Sequence, residues 1–302
     1  MPELPEVTAL AADLRSRLAG RVIERLDLLS FAALKTFQPP VTALSGCTVT
    51  DVTRHGKFLD IVCASPEHDG LHLILHLARA GWIRWRDAPP HGTGRPGKGP
   101  IAARLVLRGT RGDDGELVGD GSGFDVTEAG TKKSLALYVV REAAEVPGIA
   151  RLGPEPLEPG FTRDVLAGIL SQQGRAQIKG VLRNQGIIAG IGNAYSDEIL
   201  HVARMSPYKP AAMTDEEVDR LYSAIQDTLR GAIARAEGLA ASELKAEKKS
   251  NLRVHGRAGQ PCPVCGDTVR QVTFADSALQ YCPTCQTGGK PLADRVLSRL
   301  LK

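Results

Sequence analysis

Cys262-Pro263-Val264-Cys265, then sixteen residues, then Cys282-Pro283-Thr284-Cys285 is the stretch that decides the architecture of the C-terminal part. Two Cys-x-x-Cys knuckles at this separation bring four thiolates around one Zn²⁺ at about 2.3 Å each. The prolines inside the knuckles and Gly266 after the first suit the tight turns that this ligation needs. Four protein ligands leave no open coordination position, so the metal is expected to be structural. A pair of disulfides is the competing reading, and nothing else in the sequence suggests secretion. Between the knuckles, Val269-Arg270-Gln271-Val272-Thr273-Phe274 alternates as a strand and Leu279-Gln280-Tyr281 begins another. The expectation is a zinc-clamped β-hairpin.

Immediately upstream lie Lys245, Lys248, Lys249, Arg253 and Arg257, with one acid, Glu247, among them. A charge run is ordinarily a solvated face. Beside a zinc hairpin it reads better as a phosphate-contacting surface, with Arg253 and Arg257 as candidate contacts. Further upstream the pattern is helical. Phe161, Val165, Leu166, Ile169 and Leu170 recur at helical spacing, and a longer helix follows Thr214, whose hydroxyl and Glu217 form a capping box. Its apolar stripe is Val218, Leu221, Tyr222, Ile225, Leu229 and Ile233, ending at Gly238. Between the two sits Gly190-Ile191-Gly192-Asn193-Ala194-Tyr195, a glycine turn opening a helix, which suits an anion by geometry and dipole.

The first ~140 residues follow another period. One amphipathic helix (Val7, Leu10, Ala11, Leu14, Leu18) precedes short alternating segments: 21–28, 48–54, 58–62, 71–77, 82–86, 103–108 and 135–140. Short strands punctuated by Gly, Pro and Asp predict a β-sandwich, with 87–100 and 109–123 as loops. The proline-rich stretch 147–160 reads as a linker. The expected class is therefore α+β: an N-terminal β-sandwich with a leading helix at 1–145, a linker at 146–160 and a helical domain at 161–245. A zinc finger at 246–287 and a basic tail at 288–302 complete the chain.

The 302 residues, 42% hydrophobic and 24% charged, fit a soluble protein of about two domains. Net charge is +4 with pI near 8.7, which leans toward a polyanionic partner. The most apolar stretch, 71–82, is broken by His72, His76 and Arg79, and no signal-peptide pattern opens the chain. A cytoplasmic, non-membrane protein is expected. Cys47 and Cys63 stand alone in strand-like contexts and read as small buried hydrophobes.

The opening Met1-Pro2-Glu3-Leu4-Pro5-Glu6 carries the chemistry. Removal of Met1 would leave Pro2 with a free secondary amine, and α-amines titrate near about 8, so part of it is neutral at physiological pH. Condensed with an aldehyde carbon, it forms a cationic iminium, an electron sink for elimination. The alternative is a helix start, since proline suits a first turn and acids suit the positive helix end.

Taken together, the chain resembles the formamidopyrimidine-DNA glycosylase/endonuclease VIII family of base-excision repair enzymes. The residues that carry this are Pro2–Val7, Arg54-His55-Gly56-Lys57-Phe58-Leu59, Arg151-Leu152-Gly153-Pro154-Glu155-Pro156-Leu157, Gly190–Leu200 (the helix–two-turn–helix signature) and Cys262–Cys285. The resemblance implies a glycosylase and abasic-site lyase in which Pro2 attacks C1′ and Glu3 is the acid/base group. Lys57 would assist at a phosphate and in proton transfer, and Glu6 would support the site. It further implies Asn193 and Lys179 as phosphate contacts, one structural Zn²⁺ on Cys262, Cys265, Cys282 and Cys285, and a monomer acting on double-stranded DNA with a damaged base or abasic site. If the chain is bacterial, it would be nucleoid-associated.

Departures from the pattern bear on the lesion. Where formamidopyrimidine-DNA glycosylases read His-Leu-Gly-Met-Ser-Gly, this chain reads His76-Leu77-Ala78-Arg79-Ala80-Gly81, which makes Arg79 a candidate DNA contact in place of a space-filling Met. The family's Asp-Pro-Arg-Arg-Phe run aligns with 127–133, without its Arg and Phe. The stretch 246–252, which would clasp an extruded purine, is short, and Ser277 stands where the resemblance places an arginine. An endonuclease-VIII-like preference for oxidised pyrimidines, and a non-catalytic zinc-containing DNA-binding protein, are the alternatives. Retention of Pro2, Glu3, Glu6 and Lys57 together argues against the latter.

Overall fold

The computed structural model describes residues 1–65, 70–88, 99–111, 117–118, 121–130, 132–274 and 277–293. The chain divides into two compact units, one of residues 1–151 with 236–244, the other of 152–235 with 245–302.

In the first unit, α1 (Leu4–Leu18) is followed by β1 (Ile23–Leu28), β2 (Thr48–His55), β3 (Phe58–Ala64), β4 (Leu71–His76), β5 (Gly81–Arg86), β6 (Ile101–Leu107), the two-residue pair β7 (Thr110–Arg111) and β8 (Leu117–Val118), β9 (Gly123–Glu128), β10 (Ala136–Val140) and the short α2 (Pro147–Ala150). Two antiparallel four-stranded sheets form, in the orders β1-β6-β9-β5 and β10-β4-β3-β2. Inward residues of both sheets, among them Ile23, Val52, Leu59, Leu73, Leu105 and Phe124, share one core with Leu10, Leu14 and Leu18 of α1. Each such side chain removed from water contributes about 1.5–3 kcal/mol, so the apolar alternation read from the sequence is what closes the sandwich. Cys47 and Cys63 lie in this core, and burial pushes the Cys63 thiol up to about 12. Both behave as apolar fillers.

Three features depart from the sequence expectation. Strand β9 is central to its sheet, yet its Gly-Phe-Asp-Val-Thr-Glu pattern is not among the expected strands. All six of its residues are buried, and Asp125 is tolerated there because Arg104 Nε and Arg86 Nε donate to its carboxylate at 2.7 and 2.6 Å. The start of the expected linker also packs as structure. Val146 and Ile149 cover Ile74 and Val140 on the outer face of the second sheet, and a Cβ on Gly148 would meet the Phe58 ring at 2.5 Å. The chain at 236–244 joins this unit too: Ala236, Ala241 and Leu244 enter its core, and Trp82 Nε1 donates to the Ala241 carbonyl at 2.9 Å.

The second unit holds α3 (Arg163–Gln173), α4 (Ile178–Arg183), α5 (Asn193–Val202), α6 (Asp215–Ala236), α7 (Leu244–Asn251), β11 (Arg270–Thr273), β12 (Ala278–Tyr281) and α8 (Pro283–Thr287), with the last residue of α6 and the first of α7 in the first unit. The capping box at Thr214 and Glu217 is present, and Val218, Leu221, Ile225 and Leu229 are buried. Gly153 of the Arg-Leu-Gly-Pro motif approaches the chain so closely that a Cβ would lie 2.4 Å from the Ile187 carbonyl oxygen. The hairpin pairs β11 with β12 in the register Arg270↔Tyr281 and Val272↔Leu279. Beyond it, Leu292 packs on Val272, Leu279 and Tyr281, and the Tyr281 hydroxyl accepts from Leu292 N at 2.7 Å. The expected helical tail residues Val296, Leu297 and Leu300 lie outside the described residues, as do 89–98 of the first expected loop and 112–116 and 119–120 of the second.

Candidate nucleic-acid repair site

Pro2 is buried and directly precedes α1. Glu3 is the helix N-cap. Its carboxylate accepts the Glu6 N–H, and Glu6 Oε2 accepts the Glu3 N–H at 2.9 Å. Two acids therefore satisfy each other's backbone donors, a capping box made wholly of glutamates. Both side chains are buried, at 2% and 3% exposure. The arrangement fixes the backbone beside Pro2 and places both carboxylates in the positive field of the helix start. The helix-start reading and the chemical reading of these residues are thus compatible: Pro5 occupies the first turn, and Pro2 stays outside it.

Helix α1 packs on β2 and β3, whose connecting turn carries Lys57. Gly56 adopts φ +55°, and its carbonyl accepts from Arg54 Nη1 at 2.8 Å, so the turn is locally fixed. Lys57 is 7% exposed. Beside it, the His76 ring meets Phe58 at a 40° tilt with centroids 4.6 Å apart, and burial together with the Lys57 charge holds the imidazole pKa down to about 4. A neutral imidazole next to a lysine is a pairing that the sequence motif contains but that no periodicity could assign. On the same outer face, Asp60 Oδ2 meets His55 Nε2 at 3.0 Å and Oδ1 meets His72 Nδ1 at 2.9 Å, which ties both arms of the Lys57 hairpin to β4. Arg79 is exposed on the turn after β4, and Ala78 there adopts φ +49°, a left-handed position that glycine would take without strain.

In the second unit two candidates have hydrogen-bond partners within the protein. Lys179 is buried, and its ammonium donates to Asp197 Oδ1 at 2.6 Å, Ser196 Oγ at 2.8 Å and the Asn193 carbonyl at 3.2 Å. With these three bonds it braces the start of α5. Asn193 Nδ2 donates to the Ala278 carbonyl at 2.7 Å, tying α5 to the zinc hairpin. Arg257 gives Nη1 to the Leu252 carbonyl and Nε to Gln260, while Arg253 is exposed. The expected clasp at 246–252 is mostly helix α7, with Lys248 Nζ 4.5 Å from the Tyr195 ring centroid. A cavity of about 420 Å³ lies here, bounded by Tyr195, Glu198, Thr228, Lys248 and Arg253.

The four knuckle sulfurs lie within 4.8 Å of one another, with Cys262–Cys285 at 3.9 Å and Cys265–Cys282 at 3.3 Å. Tetrahedral Zn–S bonds of about 2.3 Å require separations near about 3.8 Å, so the donor set fits zinc. Around it, Glu198 accepts the N–H groups of Arg253, Val254 and His255 at 2.7, 3.0 and 2.8 Å, and Asp197 Oδ2 accepts from His255 Nδ1 and from Gln280 N. Burial outweighs these bonds at Glu198 and raises its pKa. His201, buried, sets Nε2 3.3 Å from Cys262 Sγ, and burial with Arg253 and Arg204 nearby holds its pKa down to about 4. Sequence reasoning does not single out Asp197, Glu198 or His201. The signal that could find them is two adjacent acids with a histidine one turn after Asp197, in the helix that the Gly190–Asn193 turn opens.

Comparison with known proteins agrees with this geometry. Residues 1–114 match the formamidopyrimidine-DNA glycosylase N-terminal domain, 152–243 its H2TH domain, and 259–288 the zinc finger found in FPG and IleRS. The formamidopyrimidine-DNA glycosylase of Symbiobacterium thermophilum is 34% identical over 299 residues, covering 95% of this chain and 89% of that protein. The chain belongs to the formamidopyrimidine-DNA glycosylase family. An uncharacterized formamidopyrimidine-DNA glycosylase-like protein of Mycobacterium tuberculosis is 54% identical over 160 residues, 53% of this chain and 99% of its own length. Among solved structures, the MutM (Fpg) protein of Thermus thermophilus superposes with a TM-score of 0.75 at 29% identity, covering 96% of this chain and all of that one. Family membership makes the chain a zinc-finger DNA glycosylase and abasic-site lyase of base-excision repair. No helix among the described residues is long and apolar enough to cross a membrane.

Proposed function

We propose that, with Met1 removed, the Pro2 nitrogen is the nucleophile of a base-excising and strand-cleaving reaction. The amine lone pair attacks C1′ of the damaged nucleotide, the glycosidic bond breaks, and the base leaves with a proton. Glu3 protonates the deoxyribose ring oxygen as the sugar opens, leaving a Pro2 iminium. Loss of a C2′ proton then expels the 3′-phosphate by β-elimination. Lys57, beside neutral His76, positions the phosphate and assists that proton transfer. The observation that carries this reading is the reciprocal Glu3–Glu6 capping, which fixes Pro2 and an acid on one rigid helix start. Zinc, when bound, organises the hairpin and takes no part in bond making. The target nucleotide must leave the stack for C1′ to be reached, and damaged or missing bases cost least to extrude.

Arg253 and the exposed face of α7 are the phosphate contacts in this proposal, and Lys179 and Asn193 act as internal braces. The enzyme works as a monomer in the cytoplasm, on nucleoid DNA. Borohydride should freeze wild type onto abasic-site DNA, Pro2→Gly should weaken the trap, and an uncleaved N-terminal tag should abolish it. Equal trapping of the tagged protein would assign the nucleophile to a lysine and sink the proposal.

A further inference from the structure

Asn193, Asp197 and His201 recur every four residues along α5, so they form one stripe on the helix. The stripe meets the zinc module at three heights. Asn193 Nδ2 reaches the Ala278 carbonyl at 2.7 Å, Asp197 Oδ2 accepts from Gln280 N at 3.2 Å, and His201 Nε2 lies 3.3 Å from Cys262 Sγ. The first two contacts hold the hairpin. The third touches a metal ligand.

His201 is 2% exposed, and its Nδ1 is a buried atom with no hydrogen-bond partner among the described residues. These facts together fix the tautomer. A zinc-bound thiolate can only accept, so the single proton of a neutral imidazole belongs on Nε2. That leaves Nδ1 as an orphaned acceptor, which a protein interior tolerates better than an orphaned N–H. The opposite tautomer would bury an unpaired N–H and set a lone pair against an anionic sulfur. We infer that His201 is an outer-sphere positioning residue of the zinc centre, donating its Nε2–H to the Cys262 thiolate. The bond withdraws charge from that sulfur, orients it toward the metal, and couples α5 directly to the first knuckle.

Cobalt substitution and metal release test this without reference to activity. His201→Phe keeps bulk and removes the donor; His201→Gln keeps an N–H at similar reach. Removing an N–H···S bond makes the thiolate a better electron donor. The sulfur-to-cobalt charge-transfer band of Co²⁺-loaded His201→Phe should therefore move to lower energy, with His201→Gln staying near wild type. Transfer of Zn²⁺ from the full chain to a chromogenic chelator should be about tenfold faster in His201→Phe and close to wild type in His201→Gln, the scale of outer-shell effects on metal affinity. Wild-type spectra and release in His201→Phe would overturn the inference. Equal loss in both variants would also overturn it, because packing and not the donated proton would then be responsible.

Discussion

Glu3 and Glu6 in the first unit and Asp197 and Glu198 in the second are all buried carboxylates at or near a helix start, each accepting backbone N–H groups, and they serve different ends. The first pair cap one another within one turn of α1, so their order depends on a local segment of four residues. The second pair collect donors from chain more than fifty residues away, at Arg253–His255 and at Gln280. The first arrangement presents acids beside Pro2, the nucleophile of the proposed reaction. The second assembles a metal module on a helix. Buried carboxylate is thus not by itself a mark of catalysis; what distinguishes the pairs is whether the bonded chain is local or remote.

The sharpest break of this comparison is the metal. Zinc on four thiolates contributes on the order of 10 kcal/mol to the fold around it. Cys282→Ser should abolish stoichiometric zinc and duplex binding, while hydrogen exchange in β2, β3 and β4 stays at wild-type rates. If those strands also lose protection, the two units are not separable in stability.

Next in size is Asp197→Asn. The Lys179 ammonium would keep its buried position without its counter-charge, which costs about 3–5 kcal/mol. Urea titration followed by exchange of α4 and α5 peptides reads this, and adding Lys179→Met should recover part of the loss. A variant as stable as wild type would mean that the pair is dispensable to the brace.

The same pair shows what the sequence can and cannot disclose. The zinc hairpin, the Thr214–Glu217 capping box and the α6 stripe are legible, because each depends on residues within one turn or one fixed spacing. Strand β9 is not, because Asp125 reads as a loop residue until Arg104, twenty-one positions earlier, is seen to neutralise it. Lys179 is a phosphate contact by resemblance alone, and its pairing with an acid eighteen residues on is equally invisible in the local sequence. The docking of Val146 and Ile149 is hidden by four prolines that suggest a spacer.

In the first unit, Asp60 offers a pH test of the Lys57 hairpin. Burial opposes its charge, yet bonds from His55 and His72 win and hold the carboxyl below its usual range. His72 is raised above 6.5, chiefly by its bond to Asp60 and further by Glu142 and Glu145. The Asp60 contribution is present above pH 3.8 and fades as pH falls through the lowered value. The His72 contribution is present below 6.5 and fades as pH rises through the raised one. The pair therefore stabilises most between these limits. His72→Gln should destabilise most near pH 5, by the ~1.5–3 kcal/mol of a charge-assisted bond, read as a fall in melting temperature that shrinks toward pH 8. A difference independent of pH would assign His72 a packing role only.

The smallest effect on stability, and the most informative for the lesion, lies at Lys248. Its ammonium over the Tyr195 ring is worth about 0.5–1 kcal/mol, so Lys248→Gln should melt within a few degrees of wild type. Function separates two meanings of α7. If the helix shapes the cavity that receives an extruded base, then Lys248→Gln should slow base excision severalfold and leave cleavage of preformed abasic sites unchanged, since the latter substrate has no base to hold. If Lys248 is a phosphate contact, both reactions should weaken together, and the slope of log affinity against log salt should fall by about 0.9. Kinetics on the two substrates over a salt series distinguish these outcomes. Equal, salt-independent rates in variant and wild type would show that α7 touches neither base nor backbone, and the second unit would then bind DNA through residues outside this helix.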